Sequence, residues 1–281
     1  MMKQIKKNKV IKIATIILLF LSINLNAQSV DLELVNELVD NIKQGDLKSM
    51  KKLEAHLFGI ILEIGGPYDD DNNNYKENTF LKTIEYVNKK INLNFNATNE
   101  NGDTFLIAAS SRRSSVKIFK SLIGYGADVN AKNNDGRTAL MLTSNLEIAK
   151  LLIDSGADVN ARGSGMFGNP PLIIGVINYM DNGPLLYYEY SEILEKIKFL
   201  IDKGADVNVK DNIGRSVLEK TIDMLNIQHW ELVLEIVKLL VDNGANINAK
   251  DKNGNTALTY AKRKGNKGKE IVKFLMSRGA K

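Results

Sequence analysis

The chain has 281 residues, with 38 basic and 33 acidic side chains, two histidines and no cysteine. The lack of cysteine excludes a disulfide framework, a thiolate metal site and a thiol nucleophile. A hydrophobic share of 44% is enough to build a packed core and is unlike the composition of a disordered chain.

The first predicted element is a leader. Lys3, Lys6, Lys7, Lys9 and Lys12 precede an apolar run from Ile13 to Ile23, and small residues follow at Ala27 and Ser29. This order is that of a secretory signal peptide over residues 1–28, and eleven apolar residues are too few to span a bilayer as a helix. An uncleaved membrane anchor is the alternative reading of the same segment. Without a cysteine there is no site for lipid attachment. Removing the five leader lysines leaves 33 basic against 33 acidic residues. The basic pI therefore belongs to the leader, and neither nucleic acid nor an anionic surface is called for by the net charge of the rest.

From Asp31 to Lys43, Leu32, Val35, Leu38, Val39 and Ile42 fall at helical spacing, and Gly45 ends the segment. A second helix is predicted from Asp46 through Leu47, Met50, Leu53, Leu57 and Ile61. The stretch from Gly65 to Asn78 reads as a polar insertion, and Thr79 to Lys90 as a third helix. Within the insertion Asp69, Asp71 and Asn73 alternate like the opening of a calcium loop. The sixth position is Asn74 and the twelfth Phe80, so the glycine turn and the bidentate carboxylate are both missing.

Beyond this point the chain repeats itself. GADVN stands at Gly126, Gly156 and Gly204, GANIN at Gly244, and a truncated GAK at Gly279. Each copy follows an apolar run at helical spacing: IFKSLI, IAKLLI, IKFLI, IVKLLV and IVKFLM. Each run predicts an amphipathic helix closed by a glycine in the left-handed conformation. A turn signal follows at Asn99–Gly102, Asn133–Gly136, Asp211–Gly214 and Asp251–Gly254. A shorter apolar segment then opens on Thr104, Thr138, Ser216 or Thr256, each a natural helix N-cap.

On these residues the chain resembles the ankyrin repeat, whose unit is a β-turn finger followed by two antiparallel helices. The likeness rests on GADVNAK, GADVNAR, GADVNVK and GANINAK, and on Gly-x-Thr in three units. No unit spells T-P-L-H: the segments read TFLI, TALM, PPLI, SVLE and TALT. The histidine that ties neighbouring ankyrin units is therefore absent, and weaker ties between units are expected. The implied fold is an all-α solenoid of five clear units plus a degenerate N-terminal helical pair. Residues 29–96 form the capping helices with their polar insertion. Residues 97–281 form the array, with units at about 97–130, 131–160, 161–208, 209–248 and 249–281.

Unit spacing locates the insertions. Gly126 to Gly156 is 30 residues, Gly156 to Gly204 is 48 and Gly204 to Gly244 is 40. The long insertion covers Asn178 to Ser191 and carries Tyr179, Tyr187, Tyr188 and Tyr190. The shorter one runs from Asp223 to Glu231, around Trp230. Gly163, Gly165 and Gly168 spell G-x-G-x-x-G, but they sit in a finger and lack the strand and helix that a dinucleotide site requires. His56 and His229 are far apart in sequence, so a zinc site or a histidine-assisted nucleophile is poorly supplied. No cofactor and no metal are expected.

The resemblance implies a non-catalytic protein that binds another protein through finger tips and first helices. The finger positions are Glu100, Asn101 and Asp103; Asn134, Asp135 and Arg137; Met166 and Phe167; Asn212, Ile213 and Arg215; and Lys252, Asn253 and Asn255. Met166, Phe167 and Ile213 are apolar groups on exposed turns, which calls for cover either by a partner or by packing on a neighbouring unit. The tyrosine loop and Trp230 offer further amphipathic area. Two other readings stay open: an enzyme or small-ligand site under the tyrosine loop, and an anionic-surface binder using Lys262, Arg263, Lys264, Lys267 and Lys269.

Overall fold

The computed structural model describes residues 32–63, 70–110, 115–164, 169–172, 190–211, 213–223 and 230–281. They divide into two compact units, with the division after Leu93. The described residues are mostly helical and contain no extended strand, only two isolated β-bridges.

The N-terminal unit holds α1 (Leu32–Lys43), α2 (Leu47–Glu63) and α3 (Asp70–Ile91), which pack on one another pairwise. Its core is Val35, Leu38 and Val39 from α1, Leu53, Leu57 and Ile61 from α2, and Phe80, Ile84 and Val87 from α3. These are the positions that helical spacing selects. Tyr86 donates to Asn36 Oδ1 at 2.9 Å and ties α3 to α1. The expected polar loop through Asn78 is instead helix from Asp70 onward. Residues 70–78 carry almost no apolar side chains, so no periodicity advertised the helix that α3 extends back through them.

The C-terminal unit is the repeat array. Its elements are α4 (Phe105–Ser110), α5 (Val116–Gly124), α6 (Ala139–Leu142), α7 (Leu146–Asp154), α8 (Tyr190–Asp202), α9 (Val217–Asp223), α10 (Trp230–Asp242), α11 (Ala257–Arg263) and α12 (Lys269–Ser277), with a 3₁₀ turn at Gly265–Gly268. First helices stack on first helices, α4 on α6 and α9 on α11. Second helices form a parallel file of α5, α7, α8, α10 and α12. Each buries a stripe set by the 3.6-residue period: Ile118, Phe119 and Leu122 in α5, and Leu232, Val233, Ile236, Val237 and Leu240 in α10. Full burial of one such side chain is worth about 1.5–3 kcal/mol.

Every second helix ends alike. Gly126 has φ +88°, its N–H bonds to Ile123 O at 2.9 Å, and Ala127 N bonds to Leu122 O at 3.0 Å. This is the 5→2 and 6→1 pair of a Schellman closure, and it recurs at Gly156, Gly204, Gly244 and Gly279. Helix α3 ends on Asn92 at φ 52°, the residue next best suited to that conformation. INLNFNA thus occupies the place of GADVNAK, as its position predicts.

A ladder of asparagines links neighbouring repeats. Asn130 Nδ2 donates to Gly156 O at 2.9 Å, and Asn130 Oδ1 accepts from Asp158 N at 2.8 Å. Asn96, Asn160, Asn208 and Asn248 make the same two bonds to the repeat that follows. A second file runs beside it: Lys132 donates to Arg162 O, Arg162 to Lys210 O and Lys210 to Lys250 O, at 2.9, 2.7 and 3.0 Å. Polar rungs thus join neighbouring repeats at the fingers' base.

Candidate functional site

The fingers are built by one device used four times. Asn99, Asn133, Asp211 and Asp251 each accept the backbone N–H groups two and four residues ahead with a single side-chain oxygen. The fourth residue of each turn is glycine, at φ +72° to +83°. Neighbouring fingers stack so closely that a Cβ on Gly136 would stand 2.5 Å from Ser164 N, and one on Gly102 2.8 Å from Asn134 N. The stack presents Glu100, Asn101, Asn134, Asp135, Ile213, Lys252 and Asn253 to solvent. Ile213 is 56% exposed, a large apolar side chain at a tip.

Fingers are strapped to first helices by charge. Arg215 Nε donates to Asp211 Oδ2 at 3.0 Å, and its Nη1 to Asp223 Oδ2 at 2.7 Å. One repeat on, the chemistry is exchanged while the geometry stays. Arg263 Nη2 donates to Asn255 Oδ1 at 2.8 Å, and Asn255 Nδ2 to Asp251 Oδ2 at 3.0 Å. Tyr260 Oη also donates to Asp251, at 2.8 Å. The Asn255 amide, ahead of the Tyr260 hydroxyl, holds the Asp251 carboxyl down to about 2, while burial and the facing Asp251 push Tyr260 up to about 12. Lys264 Nζ donates to the Asp223 carbonyl, binding the last repeat to the one before it. Arg215 is thus already committed inside the protein.

Two buried ionisable groups escaped the sequence reading. Lys196 of α8 is 4% exposed, its Nζ donates to Thr143 O, and burial brings the amine down to about 8. Glu219 stands in SVLE at the place of the ankyrin histidine and is fully buried. Its Oε2 accepts from Ser216 N at 2.6 Å, and Ser216 Oγ accepts from Glu219 N at 3.3 Å, a reciprocal capping box. Burial raises its carboxyl, and Oε1 has no partner among the described residues. The S-x-x-E spacing was the available signal for Glu219. Nothing in EKIKFLI, which holds both Lys196 and the exposed Lys198, distinguishes Lys196 from a surface lysine.

The residues singled out from sequence do not form one cluster. Arg137, Ile213 and Arg215 lie on the finger edge. Trp230, 37% exposed, is the first residue of α10 rather than part of a loop, because the periodicity of WELVLEIVKLLV runs back to it. Helix α9 separates it from the finger of its own repeat by seven residues, about 10 Å of rise. Tyr190 likewise opens α8. Met166, Phe167, Tyr179, Tyr187 and Tyr188, together with Gly165, Gly168, His229 and the leader, lie outside the described residues. Among the described residues no three His, Cys, Asp or Glu side chains are placed to hold a metal ion, and no helix is long and apolar enough to cross a membrane.

No curated protein matches the chain. A family model described as ankyrin repeats (3 copies) matches residues 75–163 and 190–281, more than half of the sequence. The finger turns, the stacked helix pairs and the glycine closures are the physical content of that match, and the chain belongs to the ankyrin-repeat family.

Proposed function

We propose that this protein is an exported, non-catalytic scaffold that binds another protein through its finger tips, its concave face and the segment from Asn178 to Ser191. Ankyrin repeats are generally protein–protein interaction modules and typically lack catalysis. The observation that carries the reading is Ile213, a 56% exposed isoleucine held at a finger tip by a turn that offers it no cover. An isoleucine in water forfeits the stabilisation that burial gives, and a partner surface restores it. The order of residues 1–28 supports export.

Affinity capture from the source organism tests the binding claim, using the chain from Gln28, an Ile213→Ser variant, and a variant with Asn178–Ser191 replaced by a Gly-Ser linker. A partner retained by the first and lost by either variant supports the reading and locates the contact. No partner with any form, or turnover in a substrate screen, overturns it. Intact mass of the protein in the exported fraction tests the leader: a chain starting at or near Gln28 is expected, and a full-length membrane-bound chain refutes it.

A further inference from the structure

Neighbouring fingers are joined by a recurring contact, and the last finger carries the parts of that contact with nothing to meet them. A carbonyl just before the turn glycine accepts from the next finger: Asn101 O from Asn134 N at 3.1 Å, and Asp135 O from Ser164 N at 2.8 Å. The cation just ahead of the turn donates to a carbonyl of the next finger, as Lys132, Arg162 and Lys210 do. The glycine lets the incoming backbone come close, since a Cβ on Gly136 would stand 2.5 Å from Ser164 N. In the last finger the corresponding groups are Asn253 O, Lys250 Nζ and the open side of Gly254. All three residues are exposed, and among the described residues neither Asn253 O nor Lys250 Nζ has a hydrogen-bond partner. A Cβ on Gly254 would meet nothing within 4 Å.

The filled joints show what such an edge takes. Between the second and third fingers the accepting carbonyl is Arg162 O, and the donating N–H is that of Ser164, two residues on. In extended chain, residues two apart turn their C=O and N–H to the same edge, so one short strand makes both bonds. We infer that the open edge of the last finger seats an extended segment of a protein partner, one C=O of which accepts from Lys250 Nζ while the N–H two residues on donates to Asn253 O. The inference rests on the scaffold reading and gives the partner's chemistry at this edge. A helix offers neither group along its length, because its N–H and C=O groups are bonded internally. A phosphate or carboxylate would meet Lys250 but has no N–H for Asn253 O. Strand addition at an exposed edge draws its affinity from such main-chain bonds, and the residue that donates here cannot be proline.

The probe is a synthetic peptide with the chain's own finger sequence, Asn130–Thr138, whose Asn134 N–H makes the bond to Asn101 O within the array. It is titrated into the nitrogen-15-labelled protein and followed by amide chemical shifts. Saturable shifts centred on Lys250–Gly254 are expected. Methylating the peptide nitrogen of Asn134 should weaken binding about tenfold, and Lys250→Met several-fold. Gly254→Ala places a Cβ where the strand backbone must lie and should weaken binding about tenfold or more. Thermal melting of each variant confirms that it is folded. No shift at the last finger overturns the inference, and so does binding indifferent to the N-methyl group or to Gly254→Ala. A natural partner captured equally by the wild type and by Gly254→Ala would also sink the inference while leaving the scaffold reading intact.

Discussion

Alanine at Gly136, set beside alanine at Gly254, measures how much the contact between neighbouring fingers contributes. The two glycines hold the same turn position, at φ +72° and +80°. Each alanine incurs the left-handed penalty of about 1–2 kcal/mol. At Gly254 the new Cβ meets nothing within 4 Å. At Gly136 it meets Ser164 N at 2.5 Å and Gly163 C at 2.9 Å, backbone atoms that cannot rotate aside. The next finger must withdraw, and the bond from Ser164 N to Asp135 O, now 2.8 Å, is lost for a further ~0.5–1.5 kcal/mol. The expected costs are about 1–2 kcal/mol for Gly254→Ala and about 1.5–3.5 kcal/mol for Gly136→Ala. Urea unfolding followed by circular dichroism reads the difference, and hydrogen exchange at the Ser164 amide localises it. Equal costs with unchanged Ser164 protection would refute the claim that the fingers are packed to the limit glycine allows.

Asn160→Ala removes the bonds to Gly204 O and from Asp206 N; because both are exposed the loss should be about 1–2 kcal/mol, and a loss under about 0.3 kcal/mol in urea titration would mean that the rungs are decorative. Lys196→Met should stabilise the fold at pH 7 by about 1–3 kcal/mol, since it removes a buried amine. The wild type, whose amine sits at about 8 when folded, should gain stability as pH rises from about 8 towards the ordinary lysine range, a gain absent from the variant in unfolding curves collected across that range. The depressed Asp251 carboxyl contributes stability that is present above the ordinary aspartate range and lost as pH falls towards about 2. Tyr260→Phe removes one donor to it, so the acid unfolding midpoint should move to higher pH, and an unmoved midpoint counts against the Tyr260 contact.

The repeat architecture was legible because it depends on residues with few substitutes. Glycine at positive φ, asparagine or aspartate opening a turn, and apolar residues every three or four positions leave a pattern at each recurrence. What escaped has a physical reason in each case. The first turns of α3 are polar and carry no period. Trp230 was assigned to an insertion because unit spacing counts surplus residues without saying where the helix resumes. Lys196 and Glu219 looked like surface residues because the partners that tolerate their burial, Thr143 O and Ser216 N, are backbone atoms. The asparagine ladder was in plain view in every GADVN, but a fifth identical letter does not disclose that its amide reaches across to the next repeat. On the finger face, Ile213 was visible from sequence as an exposed apolar tip, whereas the capture of Arg215 by Asp211 and Asp223 needed the fold.

The rungs join residues at very different separations along the chain. Asn130 reaches Gly156 across 26 positions and Asn160 reaches Gly204 across 44, at 2.9 and 3.0 Å. The fastening is therefore indifferent to how much sequence is spooled out between one rung and the next. A gene encoding such an array can lengthen or exchange a segment inside a single repeat while the joints on either side keep their dimensions. Novelty is free to accumulate where the chain leaves the ladder, and the framework that displays it is inherited unchanged.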